Sequence, residues 1–127
     1  MGNFSPGFWR SLNQARRGFV YAWKTEGHMQ FHILAGAIVM GAAWWLRLSR
    51  LECLLLVYAI GAVIAAEVLN TAVELVVDLV QPNFHPLAGM AKDVAAGAVL
   101  VAAVQAVFIG IGIFWLPLRN WIGGWLH

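Results

Sequence analysis

The chain is expected to fold as an all-α membrane protein, with an N-terminal amphipathic surface helix followed by three transmembrane helices. Three observations predict this. Of its 127 residues, 61% are hydrophobic and only 11% are charged, well under the roughly 25% charged content of soluble domains. Uncharged runs recur, from Gly27 to Leu46, from Cys53 to Ala66 and from Val94 to Leu118. Ahead of them lies a segment in which aromatic and basic residues separate onto two faces at helical period. The length suits one domain, residues 1–127.

Charge and cysteine content narrow the function classes. The formal net charge is only +2 and the Lys and Arg residues are scattered, which excludes nucleic acid as the partner. Cys53 is the single cysteine, so it forms no internal disulfide and reads as packing, with no second thiol to suggest a zinc site. The first thirty residues carry Arg10, Arg16, Arg17, Lys24 and Glu26. That is unlike a cleavable signal, and the reading starts at residue 1.

The surface helix is expected over about residues 5–25. Phe8, Leu12, Ala15, Phe19, Ala22 and Trp23 share one face, while Arg10, Arg17 and Lys24 recur at seven-residue steps nearly opposite. Such a helix lies in the interface plane, rings toward the acyl chains and cations at lipid phosphates. Ser5 suits the cap and Pro6 the first turn. The helix is a plain anchor or also lines a site.

The first span is expected at about 28–46, since twenty uncharged residues rise about 30 Å, the thickness of the hydrocarbon layer. Glu26 stands at its start, with His28 and His32 within the next turns. A lone Glu there ordinarily complements the helix dipole. Trp44 and Trp45 form part of an aromatic belt, and Arg47, Ser49, Arg50 and Glu52 make a polar, headgroup-facing turn.

The second span, about 51–80, is about 45 Å long and would project beyond the bilayer. It carries the most informative stretch of the chain. Glu67, Asn70, Glu74 and Asp78 fall within an arc of about 80° on a helix, with Thr71 beside them. An ionisable group near the bilayer centre costs at least about 2.5 kcal/mol, so this face needs partners, a cation or water. Glu67 falls deepest, and Asp78 at or past the surface.

Pro82 and Pro86 bracket Asn83-Phe84-His85 and end that helix in a tight turn. The third span is expected at about 90–117, closed by Pro117, with Trp115, Trp121 and Trp125 at the interface. Its Gly97, Ala98, Ala102, Ala103 and Ala106 allow close helix approach. Three spans with the N-terminus cytoplasmic put five basic residues inside (Arg10, Arg16, Arg17, Lys24, Lys92) against three outside (Arg47, Arg50, Arg119), as the positive-inside rule favours.

In that orientation Glu26, Glu74, Asp78, Asp93 and Lys92 gather at the cytoplasmic interface, with Glu67 slightly deeper. Carboxylates without thiols suit a hard cation such as Mg²⁺ with attached phosphates. Phosphoryl transfer needs that charge neutralisation, a positioned phosphate and a carboxylate to accept a hydroxyl proton. No standard nucleotide-binding loop is present. Lys92-Asp93 also reads as a surface ion pair, and an intramembrane Glu also suits a small proton-coupled exporter. Enzyme, exporter and structural subunit all remain open on spacing alone.

Glu67-Val-Leu-Asn70-Thr71-Ala-Val-Glu74-Leu-Val-Val-Asp78, followed by His85 and by Ala91-Lys92-Asp93-Val-Ala-Ala-Gly-Ala-Val-Leu, resembles the prokaryotic diacylglycerol kinase family. The resemblance runs from about Phe8 to Pro117. Lys24-Thr-Glu26, Ser49-Arg50-Leu51-Glu52 and Ala-Ala-Glu67 are similar in particular to its undecaprenol kinase branch. It implies a homotrimeric bundle of three-span protomers in the bacterial cytoplasmic (inner) membrane. These would phosphorylate a lipid alcohol, undecaprenol or diacylglycerol, with ATP and Mg²⁺. Carried over, Glu67 is the general base with Asn70 beside it, and Glu26 and Glu74 are the metal carboxylates. Gln14, Asn83, Phe84, His85, Lys92 and Asp93 contact ATP, and Arg10 with Glu67 meets the lipid. Asp78 ends the motif without an assigned role. The chain departs from the diacylglycerol branch at Gln14, where that branch has an aromatic, and Arg10 only approximately matches a basic position.

Overall fold

The computed structural model describes residues 6–125 and is all-helical over them. Four helices follow in order: α1 Pro6–Thr25, α2 Gly27–Trp45, α3 Arg50–Val80 and α4 Pro86–Trp125. Ser5, the expected cap of the first helix, lies outside the described residues.

From Gly7 to Thr25 α1 is exposed apart from Ala22. Phe8, Leu12 and Phe19 of its apolar face remain exposed, as on a helix whose rings face lipid. One residue, Glu26, joins it to α2 in an extended conformation, and Ala22 and Met29 are buried on either side of this elbow.

The α2–α3 turn holds itself by local chemistry. Leu48 N–H donates to Ala43 O at 3.0 Å and Arg47 N–H to Trp44 O at 3.2 Å, with Arg47 at φ 52°. This is a Schellman ending with Arg where glycine is usual. Ser49 then caps α3 through a reciprocal box: Glu52 N–H donates to Ser49 Oγ at 3.3 Å, and Ser49 N–H to Glu52 Oε2 at 2.8 Å. Glu52, expected to face headgroups, is thus a capping residue.

α3 is the central element. α2 and α4 both pack against it, with no close backbone approach between α2 and α4, and α1 packs on α2 and α3. α2 lies close against α3 at Gly36, where a Cβ would come within 2.8 Å of Ile60 Cγ2. On α4, Ala102, Ala103 and Ala106 are half-buried as expected, but Ala98 is exposed and nothing lies within 4 Å of a Cβ at Gly97. Of these two glycines it is Gly36 of α2, not Gly97 of α4, that a neighbouring helix crowds.

α4 begins at Pro86, four residues before the expected start, because a proline fits the first helical turn. It also continues through Pro117 to Trp125 rather than stopping there. One backbone bond is lost at the proline, which a helix in lipid tolerates when its neighbours are satisfied. Edge-to-face contacts of Trp121 with Trp45 (5.3 Å) and Trp125 (5.8 Å) tie that end to α2. By length and composition α3 and α4 are apolar enough to cross a membrane. α2, with His28, Gln30 and His32 in its first turns, is not among them.

Candidate active site

The short turns make α2, α3 and α4 successively antiparallel. The start of α2, the end of α3 and the start of α4 therefore meet at one end of the bundle. All the buried polar residues among those described lie there on α3: Glu67 (3% exposed), Asn70 (9%) and Thr71 (4%).

Thr71 is satisfied within its helix, its hydroxyl donating to Glu67 O at 2.9 Å. The Glu67 carboxylate meets α2, with His32 Nε2 3.2 Å from its Oε1. Asn70 Nδ2 donates to Glu74 Oε1 at 3.1 Å, and its own buried Oδ1 has no partner. Since a carboxylate only accepts, the amide can bond Glu74 in one orientation alone. Oδ1 is thereby left for something else to bond.

These groups line a cleft of about 340 Å³ formed by His28 and His32, by Glu67 and Asn70, and by Ala96, Val99 and Leu100 of α4. His32 and Ala103 also line a second, apolar groove of about 420 Å³ that runs between α2 and α4 over Leu56, Ala59, Ile60 and Val63 to Phe114. A carboxylate thus stands at the head of an apolar slot. From Leu56 to Asn70 the slot measures about 21 Å along α3.

Further along α3 the face opens to water. The Asp78 side chain is 63% exposed, and its Oδ1 meets Lys92 Nζ at 2.6 Å. A third cleft, of about 220 Å³, is lined by Asp78 and Lys92 together with Asn83, Phe84 and His85. His85 has a structural task as well: its Nδ1 accepts from Leu87 N–H at 3.2 Å and caps α4. The partner of Lys92 is Asp78, not Asp93. Neighbours in a helix point about 100° apart, whereas Asp78 lies across the α3–α4 contact.

The chain's residues 13–114 match the sequence profile of the prokaryotic diacylglycerol kinase family. It is 42% identical over 107 residues to the undecaprenol kinase of Bacillus subtilis, covering 84% of this chain and 87% of that protein. It is 41% identical over 114 residues to a diacylglycerol kinase of Synechocystis, covering 89% and 65%. With the diacylglycerol kinase of Escherichia coli it shares 32% identity over 118 residues, covering 91% and 97%. The chain belongs to the prokaryotic diacylglycerol kinase family.

This lipid kinase is therefore an ATP-using membrane enzyme, and the exporter and structural-subunit readings fall away. Two of its clefts divide the residues singled out in the sequence, Glu67 and Asn70 in one, and Asn83, Phe84, His85 and Lys92 in the other. Glu74 joins the first set through Asn70. Glu26 is half-buried at the cap of α2, and its side chain makes no capping hydrogen bond, so the carboxylate is not consumed by the helix start. Gln14, Arg10 and Asp93 are exposed and line neither cleft. His32 was not singled out for chemistry from the sequence. Its distance of 35 positions from Glu67 carries no local signal.

Proposed function

We propose that this kinase transfers the γ-phosphoryl group of Mg-ATP to undecaprenol at the cytoplasmic face of the bacterial inner membrane. In this reading α2 is a third span beside α3 and α4, the N-terminus is cytoplasmic, and the protein works as a homotrimer. The observation that carries it is a buried carboxylate, Glu67, at the head of an apolar slot. A lipid alcohol has the same design, a single polar hydroxyl on an apolar tail.

Glu67 takes the hydroxyl proton as the lipid oxygen bonds to the γ-phosphorus and the bond to the ADP oxygen breaks. Asn70 holds Glu74 and offers its free Oδ1 to the cleft. Glu26 and Glu74 are the carboxylates assigned to Mg²⁺, whose role when bound is to neutralise the phosphate oxygens. Among the described residues no group of three or more His, Cys, Asp or Glu side chains gathers as a metal site. Two carboxylates with phosphate and water completing the shell suit Mg²⁺, which keeps several waters. Lys92, oriented by Asp78, together with Asn83, Phe84 and His85, faces the nucleotide, with Gln14 and Asp93 as further ATP contacts and Arg10 toward the lipid headgroup.

The 41% identity to a diacylglycerol kinase supports diacylglycerol, giving phosphatidic acid, as the second candidate lipid. Labelled ATP offered with each lipid separately tests both: undecaprenol is expected to give the higher kcat/KM. Glu67→Gln should keep fold and assembly yet lose at least about 1,000-fold in kcat on either lipid, a loss in the range that general-base removal allows. Residual turnover within tenfold of wild type would remove Glu67 as the base.

A further inference from the structure

Glu67 is the one buried carboxylate among the described residues. Burying an ionised carboxylate is costly unless hydrogen bonds replace its water. His32 is the partner that the fold supplies, with Nε2 at 3.2 Å from Oε1, the imidazole 22% exposed and the carboxylate 4%. The ring is itself steadied by Phe31, edge-on at 5.5 Å, and by the close seating of α2 on α3 at Gly36, one turn further on.

This contact does more than offset burial. A carboxylate on a Glu side chain turns freely about its last torsion, a broad, two-fold one. A donor fixed on one oxygen sets the direction of the other. His32 and Glu67 line the same cleft, facing the uncharged Ala96, Val99 and Leu100 of α4. We propose that His32 is the positioning residue for the catalytic base, its Nε2–H holding Oε1 so that Oε2 faces the cleft where the substrate hydroxyl arrives. The imidazole keeps its proton throughout, and the hydroxyl proton ends on Oε2. The inference rests on the reading of Glu67 as the base.

The test uses full-length protein in lipid-containing micelles, with labelled ATP and with undecaprenol and diacylglycerol in separate reactions. His32→Phe keeps the ring and its packing but removes the donor. His32→Gln returns an amide N–H near the position of Nε2. For His32→Phe, kcat should fall roughly 10- to 100-fold, the loss a misplaced catalytic group brings, with KM for ATP unchanged. His32→Gln should recover to within about threefold of wild type, and in a Glu67→Gln background His32→Phe should change the residual rate less than about twofold, since the two act as one unit.

A wild-type kcat for His32→Phe, a Gln variant as slow as Phe, or fully additive losses in the double variant would each overturn the proposal. Should His32→Phe melt below assay temperature, His32→Asn replaces it, its shorter amide falling short of Oε1, with the same loss expected. A Glu67→Gln enzyme of wild-type rate, or a wild type that phosphorylates neither lipid, would overturn the base assignment itself. Those outcomes are read without any His32 variant.

Discussion

Asn70 divides its amide between two duties, and the division has measurable consequences. Its Nδ2 holds Glu74 at 3.1 Å while its buried Oδ1 goes unpaired. A buried acceptor without a partner costs about 1–3 kcal/mol, close to what one charge-assisted bond returns. Asn70→Ala removes both terms, so thermal unfolding should move by no more than about 1 kcal/mol. Activity should fall at least about tenfold and require more Mg²⁺, because Glu74 loses the group that orients it. Unchanged Mg²⁺ dependence would separate Asn70 from the metal carboxylate. At this scale the sequence showed which residues of α3 share a face, Glu67 and Asn70 lining one cleft and Asn70 bonding Glu74, because helical period alone decides that. It did not show who meets them. His32–Glu67 and Lys92–Asp78 are pairings between helices, and a periodicity carries no information about the neighbouring element.

Between elements, the angle at which α2 crosses α3 decides whether His32 reaches Glu67 at all. α2 lies close against α3 at Gly36, where an added Cβ would stand 2.8 Å from Ile60 Cγ2. Ile is branched at Cβ and turns little about χ1, so the neighbour cannot simply swing away. Gly36→Val should therefore lower stability by about 1–3 kcal/mol, the usual cost of overpacking. It should also reduce lipid phosphorylation, since α2 is levered off α3 one turn from His32. A variant with wild-type melting and wild-type rate would show that α2 seats elsewhere. The small residues legible in the sequence were those of α4, where the composition is richest in them. Yet a Cβ added at Gly97 would meet nothing within 4 Å, because small residues permit close approach without causing it. The end of α3 was legible to within a residue or so ahead of Pro82, because a proline disfavours continuing the helix, whereas the capping box of Ser49 and Glu52 at its start was read only as a polar turn. The end of α4 was not legible at Pro117, since a proline stops a helix only when nothing beyond it favours continuing.

Taken whole, one protomer covers very little of its own apolar surface. Only 6% of the most apolar stretch of α4 is buried, against 22% in α3, and Leu100, Val107, Phe108 and Trp115 are all bare. Lipid accepts such a surface without drawing helices together, so association in a bilayer depends on packing and on shared polar groups. Here the polar groups are short of company. The proposed metal site has two carboxylates, and Gln14, Arg10 and Asp93 stand exposed outside the clefts they were expected to serve. Under the proposed homotrimeric assembly, neighbouring protomers would close these open sides and bring such residues to the site. In mild detergent the particle should accordingly carry three times the 13.9 kDa protomer mass, measured by light scattering with the detergent contribution subtracted. Dilution or harsher detergent that yields single protomers should abolish lipid phosphorylation, and return to lipid should restore it. A monomer with undiminished turnover would place the whole site within one chain, and would leave Gln14, Arg10 and Asp93 without a part in the chemistry.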